Sequence, residues 1–316
     1  MRIAVVGAGG VGGYFGGRLA QAGQDVHVIA RGEHLDAIRR DGLRVRSVAG
    51  DFEVRMPATD DPVEVGPVDH VLFCVKSYDT GSAAASLRPL LHDDTAIVSL
   101  QNGVDNEEIL GRTLGEHHVV GGIAFIFSAI AEPGVIAQTG GPRRILVGEM
   151  NGSSTDRIDA LVVACGTAGI DAEARTDIRR ALWDKLAFIC AQAGMTATVR
   201  LPIGEIREVP EPMAMFRRIV EEVRAVAAAE GIELGEDAVE RHEAFARALE
   251  PGSFSSLHDD LVRGKRMELE ALHGSVVRRA AAHGVPVSTC EAVYAILRPW
   301  AVRNERSRAE RPSTSR

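Results

Sequence analysis

The sequence predicts an α/β protein with a doubly wound, mostly parallel N-terminal sheet and an all-helical C-terminal domain. Up to about residue 176, short apolar runs alternate with amphipathic stretches, which is typical of repeated strand–helix units. Beyond that point the strand-like runs stop and only helical periodicity remains. We therefore expect one domain at residues 1–174, a second at 175–304, and a disordered polar tail at 305–316.

The N-terminal half opens with a strand–helix–strand unit. Arg2–Val6 is an apolar run, a glycine-rich turn follows, and a helix is predicted to about Ala22, before a strand at Asp25–Ala30. Further strands are predicted at Leu43–Val48, Phe52–Met56, His70–Val75, Ala96–Leu100, Val119–Phe127, Val135–Gln138 and Ile145–Val147. Helices are predicted near His34–Arg40, Gly81–Leu91, Asn106–Leu114, Arg179–Thr198, Glu211–Glu230, Glu236–Leu249, Ser255–Val262, Met267–His283 and Ser288–Asn304.

Composition argues against several classes of function. The net charge of −8 indicates no nucleic-acid partner. No apolar run reaches the roughly 18 residues that span a membrane, and the chain starts directly on a strand-like run, so we expect a cytoplasmic protein. The four cysteines lie far apart without CxxC spacing, which predicts neither a metal site nor a disulfide framework.

The glycine-rich turn is the first motif that carries chemistry. It reads Gly7-Ala-Gly9-Gly10-Val11-Gly12, follows a strand and opens a helix, which is the context that a dinucleotide-binding GxGxxG motif requires. Gly7 permits the tight turn, Gly9 lets the backbone approach a pyrophosphate, and Gly12 allows close helix–strand packing. We therefore predict a Rossmann-type domain that binds its cofactor through this turn.

The end of the second strand distinguishes between the two nicotinamide dinucleotides. An NAD site places an acidic residue there to hold the ribose 2′-hydroxyl. This chain has Ala30-Arg31-Gly32, and the first acid is Glu33. Because the guanidinium of Arg31 matches a 2′-phosphate, NADP(H) is the predicted cofactor.

Two polar side chains follow predicted strands. Lys76 comes after the run Val71–Val75, and Asn102 comes after the run Ala96–Leu100. Ligands of such sheets bind beyond the carboxyl ends of the strands, so both residues are candidates for the cofactor site, and Lys76 also for the substrate site. Taken singly, Lys76 is also explained as a strand-end charge and Asn102 as part of a turn, but two polar groups at the same edge of the sheet argue against that interpretation for both.

Lysine is rare in this chain: Lys76, Lys185 and Lys265 are the three lysines among 36 basic residues. Lys185 stands near the start of a strongly apolar helix, where a lysine either reaches for solvent or lines a cleft. Unlike arginine, a lysine can be tuned by its surroundings to donate a proton.

Taken together, the motifs resemble the ketopantoate reductases (2-dehydropantoate 2-reductases), enzymes of pantothenate biosynthesis. GAGGVGG, Arg31, VKSYDT, LQNGVDN, RRALWDKL, LPIGEI, SSLHDD and KRMELEALHG occur in the family's order across nearly the whole chain. The resemblance implies that Lys185 protonates the substrate carbonyl as hydride arrives from NADPH and that Glu268 orients this site. It further implies that Ser256 binds the substrate carboxylate and that Lys76 and Asn102 lie near the nicotinamide.

The departures from the family pattern bear on the substrate. The family's asparagines four and eight residues after the catalytic lysine are Ile189 and Ala193 here, and they would line the substrate. A later family asparagine is His273, and a threonine is Met267. Residues four and eight positions after Lys185 share its side of the helix, so replacing both asparagines removes two polar contacts to the substrate. Gln192, one residue before Ala193, compensates only partly.

Three functions therefore stay open. The leading one is NADPH-dependent reduction of a ketopantoate-like 2-oxo acid to the 2-hydroxy acid, in an enzyme that the helical domain completes. The alternatives are a reductase of a bulkier apolar ketone or imine and a catalytically silent NADP-binding sensor. The retention of Lys185 with Glu268 argues against the sensor, and the sequence leaves a homodimer undecided.

Overall fold

The computed structural model describes residues 1–309 and divides into two compact units. The first comprises Met1–Gln101 and Asp105–Arg179, and the second comprises Asn102–Val104 and the chain from Arg180 onward. At the end of the first unit, Arg175 N–H donates to Val147 O in the sheet (2.7 Å). The guanidinium of Arg175 also binds Asp177 and Glu173.

The first unit is built on one sheet. Its strands are β1 (Arg2–Val6), β2 (Asp25–Ile29), β3 (Leu43–Ser47), β4 (Phe52–Val54), β5 (Ala58–Thr59), β6 (His70–Phe73), β7 (Ala96–Ser99), β8 (Val119–Glu132), β9 (Val135–Glu149) and β10 (Asp171–Ala174). The strand order is β4-β3-β9-β8-β7-β6-β1-β2-β5, and β10 pairs with β9. All pairs are parallel except β3–β4 and β8–β9. The mostly parallel sheet predicted from the sequence is thereby confirmed.

Helices cover both faces of this sheet. They are α1 (Gly10–Gln21), α2 (Gly32–Asp41), α3 (Pro62–Val65), α4 (Thr80–Ala84), α5 (Asn106–Leu114) and α6 (Asp156–Thr167). Alternate side chains of β1 point to opposite faces. Ile3 and Val5 accordingly pack with Phe15 of α1, whereas Ala4 and Val6 join a separate core with Leu110 of α5.

Strands β8 and β9 form a longer hairpin than the three short strands that the sequence predicts in this region. They pair from Val120–Glu149 to Glu132–Val135, with register shifts near Phe127. The glycines and arginines after Gln138 break the apolar alternation, which is why the sequence suggested an interruption. Gly141, at φ +81°, lets the backbone pass close to Phe127, so the ladder continues.

The second unit is helical, as predicted. Its helices are α7 (Ile178–Val199, which starts in the first unit), α8 (Ile203–Ile206), α9 (Pro210–Ala229), α10 (Ala238–Ala248), α11 (Ser256–Val262), α12 (Ser275–His283) and α13 (Ser288–Ala309). A π-helical turn at Glu270–Gly274 replaces the first part of the regular helix predicted at Met267–His283. None of the helices described is long and apolar enough to cross a membrane.

The predicted tail is corrected in part. Helix α13 continues to Ala309, so residues 305–309 are helical rather than disordered. Glu305 binds Arg266 (3.3 Å), a contact far along the chain that the polar composition of this stretch does not reveal. The remainder of the predicted tail, residues 310–316, lies outside the described residues.

Candidate active site

The turn after β1 has the backbone geometry that its glycines predict. Gly7 has φ +95°, and a Cβ atom there would lie 2.9 Å from Val75 N. A Cβ atom at Gly12 would lie 2.2 Å from Gly7 O. The tight turn and the close packing of α1 on β1 therefore both require glycine.

The same turn presents the N-terminus of α1. At Gly10 a Cβ atom would lie 2.3 Å from Ser128 O on β8, whereas at Gly9 it would meet nothing within 4 Å. The first turn of α1 contains no acidic side chain. Because the amides of a first helical turn lack intrahelical partners, this open, uncharged end suits a pyrophosphate, and Val11 belongs to the same turn.

His34 on α2 contacts this turn, a feature that sequence reasoning missed. Gly134 N–H donates to Nδ1 of His34 (3.0 Å), so the proton resides on Nε2, which donates to Ala8 O (2.7 Å). Burial lowers the pKa of His34, and the bond to Ala8 opposes this only partly. A neutral imidazole therefore ties the glycine-rich turn to the β8–β9 hairpin.

Arg31 occupies the residue before α2. Its side chain is 74% exposed, and Nη2 lies 3.3 Å from Asp79 Oδ2. An exposed ion pair of this kind contributes little stability, at most about 1 kcal/mol. A phosphate could therefore replace Asp79 as the partner of Arg31 at little cost.

Lys76 and Asn102 each follow a strand by three residues, after β6 and β7 respectively. These strands are parallel neighbours, with Phe73 opposite Ser99. Both side chains are half-buried. Asn102 belongs to the second unit, where a Cβ atom on Gly103 would lie 2.8 Å from Ala271 O.

A buried polar network lies beyond the end of β7. Gln101 Nε2 donates to Val75 O and to Thr80 Oγ1, both at 2.8 Å, and Thr80 Oγ1 donates to Asn106 Oδ1 (3.0 Å). Glu107 is 4% exposed, and burial raises its pKa to about 7. No sequence pattern points to the burial of this carboxyl, because an acid in a first helical turn is ordinarily solvated.

In the second unit, α7 carries Lys185. The side chain is half-buried. Its neighbour Asp184 binds Arg241 of α10 (3.0 Å) and lies 3.2 Å from His242 Nε2. Burial would raise the pKa of Asp184, but His242 and Arg241 outweigh it and hold the pKa at about 2. A fixed ion pair thus anchors the helical turn from which Lys185 projects.

The residues of α7 that lie on the same side of the helix as Lys185 are not the pair Ile189 and Ala193 predicted from spacings of four and eight. Successive helical residues are about 100° apart, so Ile189 lies about 40°, Gln192 about 20° and Ala193 about 80° from Lys185 around the axis. Ile189 is half-buried and Ala193 is 1% exposed. Gln192 is therefore nearer than Ala193 to the azimuth of Lys185.

The segment around Ser256 is fixed by its neighbour. Ser255 caps α11 by accepting from His258 N–H (3.1 Å), and it is 5% exposed. Thr196 Oγ1 of α7 lies 2.8 Å from Ser255 Oγ. Ser256 is the exposed first residue of α11.

Glu268 lies two residues before the π-helical turn and is 7% exposed. Within that turn, His273 is fully buried, and burial lowers its pKa to about 4. Met267, at the position of the family threonine, is 4% exposed. A single π turn re-aims the side chains around it, and the short apolar pattern here does not reveal one.

Both parts of the chain match a known protein family. Residues 3–152 match the family described as ketopantoate reductase PanE/ApbA, and residues 177–301 match its C-terminal domain family. The chain is 34% identical to the 2-dehydropantoate 2-reductase of Halobacterium salinarum over 94% of its length and 98% of that protein. It is 32% identical to the uncharacterized oxidoreductase YkpB of Bacillus subtilis over 95% of its length and 99% of that protein.

A solved structure gives the same result. The PanE/ApbA family ketopantoate reductase from Ralstonia eutropha superposes with a TM-score of 0.89 at 37% identity, over 96% of this chain and all of that one. Both the fold and the sequence of this chain are therefore similar to those of a single protein family. The chain belongs to the ketopantoate reductase family, and it is an oxidoreductase that uses a nicotinamide cofactor.

Proposed function

We propose that this enzyme reduces a 2-oxo acid to the 2-hydroxy acid with NADPH and that Lys185 is the general acid. The observation that carries the proposal is a half-buried lysine where the strongly apolar part of α7 begins, in a family of 2-oxo acid reductases. NADPH, when bound, supplies the hydride to the carbonyl carbon. The carbonyl oxygen then needs a proton, which Lys185 donates, and a positioned donor typically accelerates such a step by about 10²–10⁴-fold.

The cofactor roles follow from the first unit. The amides of Gly9, Gly10, Val11 and Gly12 hold the pyrophosphate, supported by the open space at Gly9. Arg31 binds the 2′-phosphate, supported by its exposure and by the lack of an acid before Glu33. Lys76 and Asn102 serve the nicotinamide end, since both follow neighbouring parallel strands.

The substrate roles follow from the second unit. Glu268 orients Lys185, Ser256 binds the carboxylate, and Ile189 and Ala193 line the substrate. The exposure of Ser256 keeps its hydroxyl available to a ligand. Ile189 favours a more apolar substrate than ketopantoate, because a hydroxyl buried against it loses water without gaining a partner.

The test is an assay of NADPH absorbance on a panel of 2-oxo acids and apolar ketones. Consumption with 2-oxo acids and slower consumption with ketones is the expected result. Preference for ketones over 2-oxo acids would favour the second candidate, an apolar ketone or imine reductase, to which Ile189 lends support. NADPH binding without turnover on any member would contradict catalysis and indicate a sensor.

A further inference from the structure

The side chain of Gln192 has an unused hydrogen-bonding capacity. Gln192 is 9% exposed, and Thr196 Oγ1 donates to its backbone oxygen (2.8 Å). Within residues 1–309 its side-chain amide has no hydrogen-bond partner. The amide is not among the fully buried side-chain groups that lack a partner, so water can reach it. A ligand with a suitable acceptor can take the place of that water.

The position of Gln192 relates it to the proton donor. It lies about 20° from Lys185 around α7 and about 10 Å farther along the axis. Side chains of a helix tilt toward its N-terminus, so the amide leans back toward the turn of Ile189. Burial increases along this stripe, from the half-buried Lys185 and Ile189 to the fully buried Thr196.

The next turn connects to the serine segment. Thr196 is hydrogen-bonded to Ser255, whose neighbour Ser256 is the proposed ligand of the substrate carboxylate. Gln192 therefore stands between Lys185 and this segment on α7.

The chemistry of the amide favours one partner. Its NH₂ group offers two donors, and a carboxylate is an acceptor only. We propose that Gln192 binds the carboxylate of the substrate and thereby makes the enzyme select 2-oxo acids over neutral carbonyl compounds. This inference rests on the proposed function and adds to it a residue that determines specificity. The family's asparagine positions, Ile189 and Ala193, supply no such donor.

The experiment compares a hydrophobic 2-oxo acid, 4-methyl-2-oxopentanoate, with its neutral 2-oxo amide in Gln192→Leu and Gln192→Glu. In Gln192→Leu the ratio of kcat/KM for the acid over the amide falls about ten- to hundredfold, as expected for a lost bond to a charged group. Most of the loss appears in KM, because the contact exists before the transition state. In Gln192→Glu the ratio inverts, since the new carboxylate repels the acid and accepts from the amide NH₂.

The control is Thr198→Val, about 140° from Lys185 on the same helix, which leaves the ratio unchanged. Equal losses for acid and amide in both Gln192 variants would overturn the proposal.

A separate calorimetric titration with oxamate, an unreactive 2-oxo acid mimic, uses the NADPH-loaded protein. Weaker oxamate binding in Gln192→Glu than in wild type supports the carboxylate contact. If wild type reduces no 2-oxo acid, that result contradicts the proposed function but not the carboxylate contact. Unchanged oxamate binding would overturn the contact.

Discussion

The imidazole of His273 packs directly on Gly194 of α7: a Cβ atom at Gly194 would lie 2.7 Å from His273 Nε2. Gly194 is about 180° from Lys185 around the helix. His273, which stands where the family has an asparagine, therefore lies behind the helix that carries Lys185. Its role is to pack the π-helical turn against α7.

Replacing Gly194 should therefore destabilise the helical unit. In Gly194→Ala we expect the free energy of unfolding to fall by about 1–3 kcal/mol, because the added methyl overpacks a buried ring. Urea unfolding followed by circular dichroism measures it. His273→Asn in the same chain should restore part of the loss. The matched control is Gly166→Ala in α6, where a Cβ atom meets nothing within 4 Å, and equal destabilisation of both variants would contradict the packing argument.

Glu107 should make stability depend on pH. Burial raises the pKa of Glu107 from its ordinary value of 4.5 to about 7, so the folded state favours the neutral acid. Its stabilising contribution is complete below pH 4.5 and is lost as the pH rises through 7, by an upper bound of about 3 kcal/mol. Glu107→Gln should remove this dependence in urea unfolding at pH 5 and pH 8. The neighbouring exposed Glu108→Gln serves as control, and identical pH profiles for wild type and Glu107→Gln would refute the prediction.

Arg31 should set the cofactor preference. Arg31→Asp should weaken NADPH binding relative to NADH by the contribution of a charge-assisted contact, about 1.5–3 kcal/mol. Fluorescence titration of both cofactors measures the preference. Arg40→Gln, which removes another exposed arginine of the same region, should leave it unchanged. Wild type that binds NADH as tightly as NADPH would remove the basis for assigning Arg31 this role.

Lys185 should be needed for turnover but not for cofactor binding. Lys185→Ala should lower kcat by about 10²–10⁴-fold with NADPH affinity almost intact, because it removes the proton donor. Glu268→Gln should also impair turnover. Lys265→Ala, an exposed lysine on the same unit, is the control. A near-normal kcat in Lys185→Ala, with a deuterium isotope effect showing that hydride transfer still limits, would exclude Lys185 as the acid.

Ile189 should disfavour ketopantoate. Wild type should show a higher kcat/KM for a hydrophobic 2-oxo acid than for ketopantoate, since a hydroxyl buried against Ile189 costs roughly 1–3 kcal/mol. Ile189→Asn should narrow the gap, and Ile189→Asn/Ala193→Asn tests both family positions. Because Ala193 is 1% exposed, the single variant is the cleaner comparison. Clear preference of wild type for ketopantoate would refute the argument.

The sequence was sufficient where local patterns determine structure. The apolar run before Gly7 and the long apolar helix of Lys185 each needed only their own residues to be recognised. It failed where distant segments meet: the bridge from His34 to Gly134 and the burial of Glu107 depend on tertiary packing. The face of α7 that carries Lys185 was predicted only approximately. Two helical turns take 7.2 residues, so Gln192, seven residues after Lys185, lies nearer to its azimuth than Ala193, which is eight residues after it.

Within the six residues of the glycine-rich turn, some glycines are required by the packing of the protein and another is not. At Gly7, Gly10 and Gly12 a methyl group would collide with the protein's own backbone, whereas at Gly9 it would project into open space. Much of what makes GAGGVGG look like a cofactor signature is thus a condition for assembling this sheet. We therefore expect Gly9→Ala, alone among substitutions at these four glycines, to leave the packing intact, so that any loss of dinucleotide binding in this variant reports on the ligand and not on folding.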